Sequence, residues 1–199
     1  ATGDKKQGIY NDAGVAFAMS STLDNGMTAA VTLDVDGDTG DQRQDGYTLS
    51  VSNDSTSVNF GTTEYSAITN WTSAGDMATD TWANQNTDNK NVLRAETTVG
   101  GLKVSVSQNV AANDISASTD PVSLTIGGTL GGASYVIANE GSKMGLAAST
   151  AVGGATVTTA YSTAPAFVAA VESATLMNTS TGVKIAYPMG AVVATASYV

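Results

Sequence analysis

The residues able to do chemistry in this chain are nearly all carboxylates. The densest run is Asp34-Val35-Asp36-Gly37-Asp38-Thr39-Gly40-Asp41. Oxygen donors at alternate positions, with glycines that permit a tight turn, suit a hard cation such as Ca²⁺. Asp34, Asp36, Asp38 and Asp41 are therefore candidate calcium ligands. The helix-flanked calcium loop is not reproduced: Thr39 stands where glycine is required, Asp45 stands where a bidentate glutamate is, and no helical period flanks the run. A solvated hairpin connection is the plainer reading. A second set of acids, Glu64, Asp76, Asp80 and Asp88, falls within residues 61–90, where Lys90 is the only base. Trp71 and Trp82 lie in the same stretch and supply apolar anchors, which argues against disorder. Arg94 and Glu96 follow two residues apart, with Lys103 beyond them.

The absences narrow the chemistry further. Cysteine and histidine are both missing, so disulfides, thiolate metal sites, thiol nucleophiles and the usual general base are excluded. Serine–histidine–aspartate catalysis needs a residue the chain lacks. Carboxylate pairs remain, but they sit in connections without a partner base, and the chain does not read as an enzyme. Eight Lys and Arg stand against 18 Asp and Glu, a net charge of −10; nucleic acid needs a basic face and is not expected as a partner. No run of about 18 apolar residues exists to make a transmembrane helix. No basic segment followed by an apolar one opens the chain, which therefore reads as a mature form, a fragment or a cytosolic protein.

The elements that must position these charges repeat with a period of two. In residues 27–36, Met27, Ala29, Val31, Leu33 and Val35 fall on one side and Thr28, Ala30, Thr32, Asp34 and Asp36 on the other. This is the signature of a strand with one apolar and one polar face. Val15, Phe17 and Met19 alternate with Ala16, Ala18 and Ser20; Tyr47, Leu49 and Val51 with Thr48, Ser50 and Ser52; Leu102, Val104 and Val106 with Lys103, Ser105 and Ser107. Turn signals at Asp24-Asn25-Gly26, Asn53-Asp54-Ser55, Gly100-Gly101, Gly131-Gly132, Gly153-Gly154 and Pro188-Met189-Gly190 favour tight hairpins. Longer polar connections are expected at 37–46, 61–90, 109–120, 139–143 and 162–181. The pattern predicts about 12 strands, near 14–23, 27–36, 47–53, 57–61, 91–99, 102–109, 121–130, 133–138, 143–152, 155–162, 182–187 and 191–199.

Short and long connections thus alternate between strands of up to about ten residues, the pattern of a transmembrane antiparallel β-barrel. A β-sandwich needs an inner face packed at crystal-like density, and Ala/Thr-rich strands with few aromatics supply it poorly. A solenoid needs a constant repeat length, which is absent. The sequence reads as one domain spanning residues 1–199. A secreted or surface-layer β-rich structural protein with calcium-dependent assembly is the alternative from another class.

With the strands placed, the chain resembles the general diffusion porins of alphaproteobacteria. GIYNDAGVAFAMSSTLDNGMTAAVTLDVDG (8–37) is similar to that family's second and third strands around a short turn. DGYTLSVSNDSTSVNFGTTEYSA (45–67) looks like strands four and five, with Phe60-Gly61 as the step into the third loop, and VLRAETTVGGLKVSVSQNV (92–110) like strands six and seven. The resemblance implies a trimer of 16-stranded barrels in the outer membrane of a Gram-negative bacterium, in contact with lipid and lipopolysaccharide, passing ions and small hydrophilic solutes by passive diffusion without a required cofactor. It implies that residues 61–90 fold inward as a constriction loop. Glu64, Asp76 and Asp80 would then meet Arg94, Glu96 and Lys103 across the lumen, and opposed charges of this kind set ion selectivity. Arginines are fewer than the family uses at its constriction. About 12 strands of a probable 16 are present, with one more expected upstream and three downstream.

Overall fold

A computed structural model describes residues 14–36, 43–75, 77, 82, 91–110, 121–165 and 177–199. Twelve strands are found there: β1 (Gly14–Thr22), β2 (Thr28–Asp36), β3 (Arg43–Ser52), β4 (Thr56–Gly61), β5 (Val92–Val99), β6 (Leu102–Asn109), β7 (Ser123–Leu130), β8 (Ala133–Glu140), β9 (Lys143–Val152), β10 (Ala155–Pro165), β11 (Met177–Met189) and β12 (Val192–Tyr198). One short helix, α1 (Ser66–Asn70), lies between β4 and β5. All twelve strands form a single sheet in chain order, each antiparallel to its neighbours.

The tight turns explain the meander. At Gly100-Gly101, Gly131-Gly132 and Gly153-Gly154 both residues have positive φ, between 58° and 85°, the conformation whose twist matches two adjoining antiparallel strands. At the β3–β4 turn the side-chain oxygen of Asn53 accepts hydrogen bonds from the backbone N–H groups of Ser55 (3.0 Å) and Thr56 (2.8 Å), so the side chain completes the turn.

Three boundaries differ from those read in the sequence. β3 begins at Arg43, inside the expected 37–46 connection, and its register with β2 shifts between Asp34 and Val35, so that a bulge accommodates Asp45. The expected long connection at 139–143 is a tight turn: Glu140 pairs with Lys143 in the ladder and Gly141 takes φ 63°. β10 and β11 run on through 162–165 and 177–181, pairing from Ser162–Ser180 to Pro165–Met177. Their Ser/Thr-rich ends lack the apolar alternation that marked the other strands, and only the partner ladder makes them strands.

The two faces of the sheet carry opposite chemistry. Val51, Val58 and Val106, Leu49 and Leu93, and Ile137, Leu146 and Tyr161 form cross-strand rows on one face and stay exposed, as do Phe17 at 54% and Leu146 at 48%. So much exposed apolar surface on a water-soluble monomer would be anomalous; on a barrel it is the lipid face. The other face bears Ser105, Thr125, Ala138, Gly145 and Ser162 in one cross-strand row, all buried. The packed core lies on this second face.

Val31 pairs with Met19 and Leu49, and Thr32 with Ala18 and Thr48, which places neighbouring residues on opposite faces. Val31→Arg should cost about 2–4 kcal/mol near the bilayer midplane, while Thr32→Arg should be tolerated. Denaturant unfolding in lipid vesicles checks this; equal costs at both positions would contradict the assignment of faces.

Candidate functional site

The connection between β4 and β5 is rooted by a glycine. Gly61 adopts φ 126°, and a Cβ there would lie 2.0 Å from the carbonyl oxygen of Tyr47. That approach lets Thr62 donate to the same carbonyl from its backbone N–H (2.8 Å) and from its hydroxyl (3.0 Å). The phenol hydroxyl of Tyr47 donates to the side chain of Asn91 (2.8 Å) at the far end of the connection. One tyrosine thus holds both ends.

From this root the chain turns onto the polar face. α1 has no side-chain cap of its own, and the first N–H groups of a helix have no partner within it. The sheet supplies them. The N–H of Ser66 donates to Ser107 Oγ on β6 (2.8 Å), the N–H of Ala67 donates to Ser123 Oγ on β7 (2.9 Å), and the hydroxyls of Ser66 and Ser105 share a hydrogen bond (2.8 Å). All four serines are buried. Beyond the helix, Trp71 and Trp82 meet edge to face, with centroids 5.5 Å apart at 72°. They pack with Ala67, Ala74 and Met77 against Ala138, Ala147 and Ala160 of the wall. Further on, the loop reaches Gly182 of β11, and Gly75 lies against Ser197 of β12.

The expected charges fall around this loop. Arg94, on β5, donates from Nη1 to the carbonyl oxygen of Glu64 (3.1 Å) and to the hydroxyl of Thr69. Glu96, on the same face, pairs with Lys103 of β6 at 3.0 Å and accepts from the side chain of Asn70 at 3.5 Å. Glu64, Arg94, Glu96 and Lys103 therefore form one patch beside α1. Asp76 and Asp80 lie outside the described residues, as do Asp38 and Asp41. Asp34 is exposed near the end of β2, and Asp36 ends that strand. No group of three or more carboxylates able to hold a metal occurs among the described residues. The docking serines and the wall residues under the tryptophans carry no chemical motif. Their signal in the sequence is only that most inward positions from β6 to β11 beneath the loop are small, Ser, Ala or Gly, with Thr125 and Val136 among them.

A sheet of outward-apolar strands with an inward-folded loop has a recognised counterpart. The sequence model for Gram-negative porins matches residues 1–199. The chain belongs to the Gram-negative porin family. A fivefold mutant of the Rhodopseudomonas blastica porin is similar in structure, with a TM-score of 0.50 at 14% identity, over 92% of this chain and 83% of that one. A triple mutant of the same porin gives 0.45 at 15% identity over the same shares. A comparison with curated proteins finds no match. At such identities the likeness concerns the fold alone; the family rests on the sequence model, which agrees with the resemblance to porins read from the sequence. The porin is thus an outer-membrane channel for passive diffusion and not an enzyme.

The serine latch is testable. Ser107→Ala and Ser123→Ala each strand a buried N–H, and each should cost about 1–3 kcal/mol. Denaturant midpoints of the refolded porin would measure this. A cost no greater than that of Gln108→Ala, at an exposed position on the strand of Ser107, would mean that these hydroxyls do not hold the loop.

Proposed function

We propose that residues 61–90 form the constriction of this porin and make it moderately cation-selective. Glu64, Asp76, Asp80 and Glu96 supply the negative charge; Arg94 and Lys103 are the bases of the same passage. The observation that carries this reading is the docking of α1 by three hydrogen bonds onto the polar face of β6 and β7. A loop fixed there occupies space inside the barrel. Two bases are already engaged at its edge: Arg94 is bonded to the loop, and Lys103 is paired with Glu96. The acids of the loop then dominate the local field, in keeping with 18 acids against 8 bases in the chain. A narrow passage with low-dielectric walls focuses such a field and enriches cations.

The same reading extends to the surroundings. The porin assembles as a homotrimer, and its long-connection rim meets lipopolysaccharide. Asp34, Asp36, Asp38 and Asp41 on that rim bridge anionic lipid phosphates through Ca²⁺. Calcium should then raise the unfolding temperature in vesicles containing lipopolysaccharide. Neutralising the four aspartates to Asn should abolish the rise, and an undiminished rise in that variant would remove them from the bridge.

Reversal potentials in a salt gradient test the constriction. Asp76→Asn with Asp80→Asn should move the reversal potential toward zero. Asp34→Asn, Asp36→Asn and Asp38→Asn together should change it little, because that rim lies outside the passage. The preference should shrink at 1 M salt, where the Debye length is about 3 Å. A potential unmoved by the first pair would take the constriction away from this loop.

A further inference from the structure

Two groups of glycines among the described residues differ in physical kind. Gly100, Gly101, Gly131, Gly132, Gly153 and Gly190 have positive φ and open space where a Cβ would stand; their backbone conformation calls for glycine. Gly46, Gly145 and Gly182 are the reverse. They lie within β3, β9 and β11, are buried, and do not adopt the left-handed conformation. At each of them the space for a side chain is occupied by the inward-folded loop.

The occupants follow the loop in order. A Cβ at Gly46 would lie 2.5 Å from Thr62 Oγ1, at the root. At Gly145 it would lie 2.7 Å from Trp71 Nε1 and 2.7 Å from Trp82 Cζ2. At Gly182 it would lie 2.4 Å from the carbonyl oxygen of Ala74 and 2.6 Å from Met77 Cγ. An extended strand accepts any residue, and alanine or valine would suit these strands better than glycine. Only the nearness of the loop to the wall excludes a side chain.

We propose that Gly46, Gly145 and Gly182 are specificity-determining positions of the channel: their absent side chains set how deeply the loop seats in the wall, and hence the free cross-section. This rests on the reading of residues 61–90 as the constriction. Close-packed interiors do not absorb an added methyl group without movement, and the movement open to the loop is away from the wall, into the lumen. The sockets differ in kind. The nearest obstacles at Gly145 are indole atoms, whereas the nearest at Gly182 is a backbone carbonyl.

The experiment uses the porin refolded in lipid, with single-channel conductance and liposome swelling in neutral sugars of increasing size as readouts. Gly145→Ala and Gly182→Ala should lower the conductance and shift the size cutoff to smaller sugars. Trp71→Phe with Trp82→Phe should restore Gly145→Ala toward the parent, and Met77→Ala should fail to restore Gly182→Ala, because the Ala74 carbonyl remains. Unchanged or enlarged cutoffs in both glycine variants overturn the inference. Trp71→Ala with Trp82→Ala unseats the loop and separates the two readings. If that pair leaves the cutoff unmoved, the loop is not the constriction. If it moves the cutoff while the glycine variants do not, only the socket assignment fails. Should Gly145→Ala not assemble, assembly must return in the Trp71→Ala, Trp82→Ala background, and continued failure there also overturns the proposal.

Discussion

In hydrocarbon a backbone amide has no water to turn to, and each unpaired group costs several kcal/mol. Almost everything in this chain follows from that constraint. From β1 to β12 the sheet meets it with a ladder that runs without a crossover, the outer edges of those two strands alone having no partner among the described strands, and tight glycine and asparagine turns keep successive strands adjacent. Because the ladder satisfies the backbone, the outward side chains need only be apolar and can stay small. This explains a composition of 42% hydrophobic residues with few large ones. Lipid solvates the outer face, so a thick core is not needed there.

The inner face works under different rules, and magnitudes rank its interactions. The Glu96–Lys103 pair is part-exposed, at 24% and 45%, and a pair of that kind is worth about 0–1 kcal/mol. The serine hydroxyls satisfy buried N–H groups whose loss would cost about 1–3 kcal/mol each. The tryptophan pair adds buried area and edge-to-face contact. Hydroxyls and indoles therefore fix where the loop lies, while the charges act on whatever moves past it. Arg94 belongs to both sets, because it carries charge and also bonds to the loop through Glu64 and Thr69.

How far the sequence could be read depended on how local each cause was. The strands were legible because Val31 against Thr32, or Val106 against Ser107, places lipid and interior on alternate residues. The polar ends of β10 and β11 were not, since Thr163 and Thr179 are strand residues only by pairing with each other. α1 gave no local signal: its first N–H groups are satisfied by Ser107 and Ser123, far along the chain. Arg94, Glu96 and Lys103 were recognisable as charges on one face, but the attachment of Arg94 to Glu64 and Thr69 is tertiary. Gly145 and Gly182 look in sequence like any other strand glycine, and only the loop lying on them tells them apart.

The single tyrosine that holds both ends of the inward loop has an evolutionary consequence. Gly61 and Val92 face each other in the β4–β5 ladder, and Tyr47 fastens Thr62 on one side and Asn91 on the other. Residues 62–91 are therefore an excursion from what is otherwise an ordinary hairpin, with its base clamped shut. The β4–β5 register is closed at that base by the Gly61–Val92 pair, so it does not depend on the length of the excursion. Such a cassette lets a lineage rewrite what its outer membrane admits while inheriting the strand register, with only the wall positions under the loop having to change in step.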